Sequence, residues 1–348
     1  MDSAMVKIFG IEFAPLRVPF KRRIETLAVA QYTLCFLFLG FSCLFASVYI
    51  LFFTQYYYLL LLYLVWMYYD RDIAERGGRR SDWVRSWRIW EHLKDYFPAK
   101  LVKTAELNPE KNYILGFHPH GIMSTSAFVH FASEGSGWSK MFPGITSFLL
   151  VLKGHFMFPV YRDYLMLSGT VAVTKSSMNF LMRENGTGNA LVLVVGGALE
   201  ALEAFPGRFN LKLNKRKGFI KLALETGTSL VPTFSFGELN LYQQMENPPG
   251  SFLRRLQNIM TSYFGFSPPI FHGRGVFNYT YGLIPYRQPI NTVIGAPIDV
   301  EMVDQPNQSQ IDQLHAKYLA ALRQLFDTHK EKERERAHSD SSVKGEVA

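Results

Sequence analysis

Tyr113-Ile114-Leu115-Gly116-Phe117-His118-Pro119-His120-Gly121 passes from a short apolar run directly into a turn that carries two imidazoles. An apolar run of this length, closed by proline and glycine, reads as a buried strand from Tyr113 to Phe117. Similar runs recur at Ala190 to Val195, Leu230 to Phe236 and Thr292 to Ile294. Helical patterns lie between and after them. Lys217 to Thr226 ends at Gly227, a suitable C-terminal cap. Ile311 to about Arg336 repeats apolar residues at Leu314, Tyr318, Leu322 and Leu325, with His329 in step, as an amphipathic helix does. Strand and helix in alternation predict an α/β sandwich around a mostly parallel sheet flanked by helices. Residues 70–330 are expected to form one domain, followed by a charged tail over residues 331–348 that frays and becomes disordered.

Upstream lies a second decisive stretch. Thr26 to Tyr69 holds 44 residues without Asp, Glu, Lys or Arg. At about 1.5 Å per helical residue that length is roughly twice a ~30 Å hydrocarbon core. A transmembrane or re-entrant helical hairpin over residues 26–69 follows, with Thr54-Gln55 among the places where it could turn. Lys21, Arg22 and Arg23 precede the run and Arg71, Arg76, Arg79 and Arg80 follow it, so residues 1–25 and the main domain are both expected on the cytosolic side. The only cysteines, Cys35 and Cys43, fall inside the apolar run, which fits a reducing compartment. A formal charge of +8 suits an anionic leaflet or a phosphorylated substrate, and no nucleic-acid partner is expected. Trp83, Trp87 and Trp90, interleaved with Arg85 and Arg88, read either as interfacial anchors or as core aromatics.

Chemistry concentrates at strand ends, where α/β sheets expose reactive groups. Three readings of His118-Pro119-His120-Gly121 stay open on residue chemistry alone: a general base, a His-x-His metal pair, or a structural turn. No other histidine has ligand-like spacing to it, so no metal is expected. Val194-Val195-Gly196-Gly197-Ala198-Leu199-Glu200 is another strand running into glycines. There Glu200 could orient a catalytic His, and amides near Gly196 and Gly197 could face an oxyanion or a phosphate. Val231 to Glu238 repeats the pattern of strand, glycine and carboxylate. Lys215-Arg216-Lys217-Gly218 opens a helix and Arg274 stands among glycines; both are candidates for phosphate contact, or simply solvated basic turns. A G-x-S-x-G elbow and a P-loop are both missing, so a covalent serine route has no support.

In this order, behind a basic-flanked apolar run, these blocks resemble the type 2 diacylglycerol acyltransferase family, which includes the monoacylglycerol acyltransferases. The likeness runs from about Glu12 to Lys330 and includes Gly77-Gly78-Arg79-Arg80, Asp95-Tyr96-Phe97-Pro98, Arg162-Asp163-Tyr164, Arg216-Lys217-Gly218-Phe219 and Ile284-Pro285-Tyr286. It implies an endoplasmic reticulum enzyme, also found on lipid droplets, that moves a fatty acyl group from acyl-CoA to mono- or diacylglycerol in triacylglycerol synthesis. Acyl-CoA is then a co-substrate and no cofactor is needed. The family's catalytic motif matches His118 to Gly121, with His120 preferred as base and Glu200 as its partner. Gly121, Gly196 and Gly197 are assigned to the oxyanion, and Lys215, Arg216, Lys217 and Arg274 to coenzyme A. The family's neutral-lipid motif appears as Phe36-Leu37-Phe38-Leu39. More distantly the chain is similar to glycerophospholipid acyltransferases, whose His is followed five positions later by Asp; here those positions hold Met123 and Thr125. Wax or retinol acyl transfer within the family, a non-catalytic lipid-droplet protein, and assembly into a homo-oligomer remain compatible with the sequence.

Overall fold

The strand that runs into the two imidazoles lies at the middle of a seven-stranded sheet in the computed structural model, which describes residues 6–345 apart from residues 16 and 249. In chain order the strands are β1 (Lys100–Lys103), β2 (Tyr113–His118), β3 (Thr146–Val151), β4 (Thr170–Ala172), β5 (Asn189–Val194), β6 (Ser229–Phe236) and β7 (Asn291–Ile294). Their spatial order is β1-β7-β6-β2-β5-β3-β4. β2 runs parallel to both neighbours, β5 and β6, and the one antiparallel pair of the sheet is β6 with β7. All four expected strands are present. β1, β3 and β4 were not foreseen: β1 carries a lysine at each end, β4 spans three residues, and neither shows a long apolar run.

Side-chain alternation on β2 divides the core in two. Tyr113, Leu115 and Phe117 face a cluster that includes Trp90, Leu93 and Tyr96 of helix α3 (Arg88–Tyr96) and the side chains of α4 (Thr125–Phe131). Ile114 faces the opposite cluster, with α7 (Gly218–Thr226) and α9 (Gln308–Gly345). Each fully buried Leu or Ile in these layers contributes roughly 1.5–3 kcal/mol. On this second face the Tyr318 hydroxyl of α9 donates to the Gly116 carbonyl at 3.1 Å and meets His118 Nε2 at 2.9 Å. A Cβ at Gly116 would stand 1.9 Å from that hydroxyl, which explains glycine in a central strand. α7 ends as foreseen, with Gly227 at φ +65°. α9 continues to Gly345, beyond the expected end near Arg336. Residues 1–5 of the N-terminal segment and residues 346–348 of the tail lie outside the described residues.

One helix, α1 (Phe20–Phe53), is long and apolar enough to cross a membrane. Its two halves have different surroundings. Ala28, Val29, Tyr32 and Thr33 are buried, packed along α3, because small residues there let two helices approach closely. After a π-helical segment, Cys35–Leu39, the stretch Gly40–Phe53 leaves the domain with Phe41, Phe45, Tyr49, Phe52 and Phe53 exposed. The helix stops at Thr54, whose backbone is extended, and α2 (Tyr57–Tyr69) follows. The Tyr63 hydroxyl of α2 donates to Asp163 on α5 (Tyr161–Leu167) at 2.8 Å, and Gly40 lies against Tyr161 and Phe158. The projecting half of α1 and α2 thus share one root. α6 (Lys175–Arg183) and α8 (Phe252–Phe264) complete the helices of the domain used below. Of the three tryptophans, Trp83 and Trp87 are exposed and meet edge-to-face at 5.0 Å, whereas Trp90 is core.

Tyr318→Phe removes the hydroxyl but keeps the ring. It should cost about 1–3 kcal/mol, because two buried polar atoms lose a partner, and lower the thermal midpoint by several degrees. An unchanged midpoint would show that the His118 contact does not hold the sheet to α9.

Candidate active site

The end of β2 sends its two histidines to different places. His118 is fully buried on the α9 face, and its desolvated ring is pushed down to a pKa of about 3. Expected among the catalytic residues, it is neutral and held by Tyr318, because on a strand parity places it with Ile114 and Gly116 in the core. The two rings therefore do not converge on a common ligand. His120, beyond the strand, is half-buried. Its Nδ1 lies 3.0 Å from the Gly121 carbonyl. A carbonyl can only accept, so Nδ1 carries the proton and Nε2 keeps a free lone pair. Burial lowers the His120 pKa below the usual imidazole value, opposed by the Gly121 hydrogen bond and by the charge of Glu200.

Glu200 was expected to touch that imidazole. Instead its Oε1 accepts the His120 backbone N–H at 2.8 Å and its Oε2 accepts the Lys212 N–H at 2.9 Å. The carboxylate therefore positions the peptide that carries His120 and makes no hydrogen bond to the ring. Gly196 must lack a side chain here, since a Cβ would sit 2.2 Å from the Glu200 carboxyl, and Gly197 takes φ +62°. The Arg216 guanidinium donates to the Gly196 carbonyl at 3.3 Å.

Glu238, at the end of β6, makes the matching contact on the other side. Its carboxylate accepts the N–H groups of Thr125 and Ser126 at 2.9 and 2.8 Å, and the Ser126 hydroxyl. Burial raises its pKa to about 6. Gly121, at φ +64°, lies under it, and a Cβ there would meet Oε1 at 2.5 Å. The sequence pattern of strand, glycine and carboxylate marked Glu238 but assigned it no role. Its likeness to the Glu200 block was the available signal.

The basic quartet divides. Arg216 reaches the glycine loop, whereas Lys217 pairs with Asp312 at 2.6 Å and Lys215 is exposed. Arg274 lies over the Tyr279 ring at 4.5 Å and donates to the Gly275 carbonyl at 3.1 Å, in a separate turn. Beside Glu200 opens a groove of about 340 Å³ lined by Leu199, Glu203, Lys212, Gly250, Arg254 and Asn258. Arg254 and Lys212 both point to Glu203 within it.

Phe36 and Leu37 pack on the core cluster that contains Met123, and Leu39 packs on the cluster of Tyr161. A contact chain leads from the root of the projecting helix to the histidine loop. The Phe36 ring lies 6.5 Å from Tyr32; Tyr32 lies 4.9 Å from Phe128, and its hydroxyl reaches the Met123 carbonyl at 3.5 Å.

Residues 49–340 match the family described as diacylglycerol acyltransferase. The chain is 48% identical to 2-acylglycerol O-acyltransferase 1 of Bos taurus over 322 residues, covering 92% of this chain and 96% of that protein. It is 44% identical to diacylglycerol O-acyltransferase 2 of Danio rerio over 310 residues, covering 89% and 86%. Among solved structures, the 1-acyl-sn-glycerophosphate acyltransferase from Thermotoga maritima aligns at a TM-score of 0.37 with 11% identity, over 88% of this chain and 97% of that one.

Glu200→Gln leaves one acceptor oxygen where two backbone N–H groups need one each. Losing a charge-assisted hydrogen bond of about 1.5–3 kcal/mol should lower turnover roughly tenfold to a hundredfold. Because the Glu200 charge supports the His120 imidazolium only from beyond hydrogen-bond contact with the ring, the acid limb of kcat/KM should move only slightly, to lower pH. A fall of about a full unit or more in this variant would place Glu200 on the imidazole instead.

Proposed function

The chain belongs to the diacylglycerol acyltransferase family and is an acyltransferase; on that premise we propose that His120 is the general base that esterifies mono- or diacylglycerol from acyl-CoA. The observation that carries this reading is the ring itself. Nδ1 is tied to the Gly121 carbonyl, Nε2 is unprotonated, and the peptide is clamped by Glu200. Nε2 removes the proton of the acceptor hydroxyl as its oxygen attacks the thioester carbonyl. The tetrahedral intermediate then expels the coenzyme A thiolate, which takes the proton back from the imidazolium. The new C–O bond replaces the C–S bond, and no nucleophilic side chain intervenes. Backbone amides at Gly121 or Gly197 would hold the oxyanion in this scheme. Arg216, at the Gly196 carbonyl, is the cation nearest this loop for a coenzyme A phosphate. Acyl-CoA is the co-substrate in this scheme, and no cofactor or metal takes part.

Gly40–Phe53 and Tyr57–Tyr69, of 14 and 13 residues, are the membrane part in this reading. At 1.5 Å per residue each arm reaches about 20 Å, short of a ~30 Å hydrocarbon core. Both return to α5, so a re-entrant hairpin in one leaflet fits better than two crossings. Such an anchor suits the endoplasmic reticulum with the catalytic domain on the cytosolic side, and equally the monolayer of a lipid droplet.

His120→Ala should lower acyl transfer by about 10²–10⁴-fold, read as labelled acyl product from acyl-CoA with competing mono- and diacylglycerol. Near-normal product would remove His120 from the mechanism. In the unaltered enzyme the base must be neutral. Its lowered pKa keeps it so below the usual ~6.5, and the acid limb of kcat/KM should therefore lie under pH 6.5. A limb above 7 would contradict the assignment.

A further inference from the structure

Helix α8 (Phe252–Phe264) turns a large apolar stripe away from the domain. Phe252, Leu256, Ile259 and Tyr263 are 83, 45, 54 and 81% exposed. Their spacing of four, three and four residues places them on one narrow stripe of the helix. The side turned to the protein mixes half-buried Leu253 and Met260 with polar groups. Gln257 is buried there, accepting from the Asn247 amide at 2.6 Å and donating to the Pro268 carbonyl at 2.9 Å, and Arg254 pairs with Glu203. Those bonds fix the face that α8 turns inward, and water disfavours leaving four large apolar side chains in a row outside.

The surroundings of α8 identify what covers the stripe. Past its end, Gly265 stands with its Cβ direction 3.3 Å from Leu152. The segment that follows Leu152 carries exposed Met157 and Val160 and then Phe158, whose ring meets Phe41 of the projecting helix at 5.4 Å. Phe266 and Ile270 extend the exposed apolar surface beyond α8. The other end of α8 borders the groove beside Glu200, through Arg254 and Asn258. Thus exposed apolar side chains recur from the root of the projecting helix to the edge of the groove that Leu199 and Glu203 line. Arg255, exposed at the border of the stripe, stands where a lipid phosphate would lie.

We infer that α8 is a second membrane element, lying in the plane of the headgroup region with Phe252, Leu256, Ile259 and Tyr263 in the acyl layer and the groove of Leu199 and Glu203 at its edge. This goes beyond the hairpin anchor and rests on the reading of a membrane-bound chain. The test uses the full chain in phosphatidylcholine vesicles, with Cys35→Ser and Cys43→Ser and one cysteine introduced by Ile259→Cys, Val48→Cys or Asp304→Cys. Each is labelled with an environment-sensitive fluorophore and exposed to phosphatidylcholine carrying a nitroxide high on its acyl chain. Strong quenching at 259, as at 48 and unlike 304, is the expected result. Quenching at 48 with none above the 304 level at 259 would overturn the inference and leave the hairpin standing; loss at 48 would count against the hairpin alone. A label at 259 shielded from aqueous iodide yet untouched by the nitroxide would mean that protein covers the stripe, which also overturns it. Leu256→Glu with Ile259→Glu should raise KM for vesicle-borne monoacylglycerol severalfold without lowering the thermal midpoint, since both side chains are exposed. A fall of 5 °C or more would mark the stripe as internal packing.

Discussion

Two buried carboxylates hold the loop that follows β2, and the site depends on them. β2 lies between β5 and β6 in parallel register, with Phe117 opposite Val194 on one side and Thr233 on the other. All three strands therefore end at the same edge. Each flanking strand then turns through glycine and sends one carboxylate across: Glu200 takes the His120 N–H, and Glu238 takes the Thr125 and Ser126 N–H groups. Burying a carboxylate is costly unless its oxygens are satisfied. Here backbone N–H groups satisfy them, and charge-assisted hydrogen bonds of this kind contribute about 1.5–3 kcal/mol each. The consequence is a loop held at both ends of the segment from His120 to Ser126, with the imidazole between them.

Glu238 fills the space over Gly121, where a Cβ would stand 2.5 Å from its carboxylate. With both carboxylates supplied from outside, the histidine is oriented by its own Gly121 carbonyl and by the fixed peptide. Orientation by a backbone carbonyl sets the tautomer as firmly as a carboxylate does but adds no negative charge beside the ring. The ring is then a weaker base, available in its neutral form over a wider range of acid pH.

Much of this was legible beforehand and some was not, for identifiable reasons. The apolar runs ending in glycine located β2, β5 and β6 and put three reactive blocks at one sheet edge, because strand period and turn chemistry are local properties. The parity of His118 was legible too: it is in step with Ile114 and Gly116, and so faces α9. Whether Glu200 meets the ring or the amide of His120 was not, since both atoms lie within reach of the same residue. Nor was the partner of Lys217 at the basic turn, Asp312, which lies far along the chain. The uncharged run extends beyond the projecting arm into the core. Ala28-Val29-Ala30 lacks charge because it packs against α3, and only the burial of Tyr32 and Thr33 reveals it.

That overrun has a structural meaning. α1 passes from the core into the projecting arm without losing helix, since its only irregularity is the π-helical Cys35–Leu39. A continuous helix resists bending, so the depth of the arm in a bilayer fixes the height of the core above it. The core half of α1 touches the histidine loop through Tyr32 and Met123. The acceptor is amphiphilic, with acyl chains in the hydrocarbon and a hydroxyl at the headgroups, whereas acyl-CoA brings its phosphates from water. Under the proposed mechanism the base has to stand at the boundary between the two, and a helix built half into the core and half outside it would set that position.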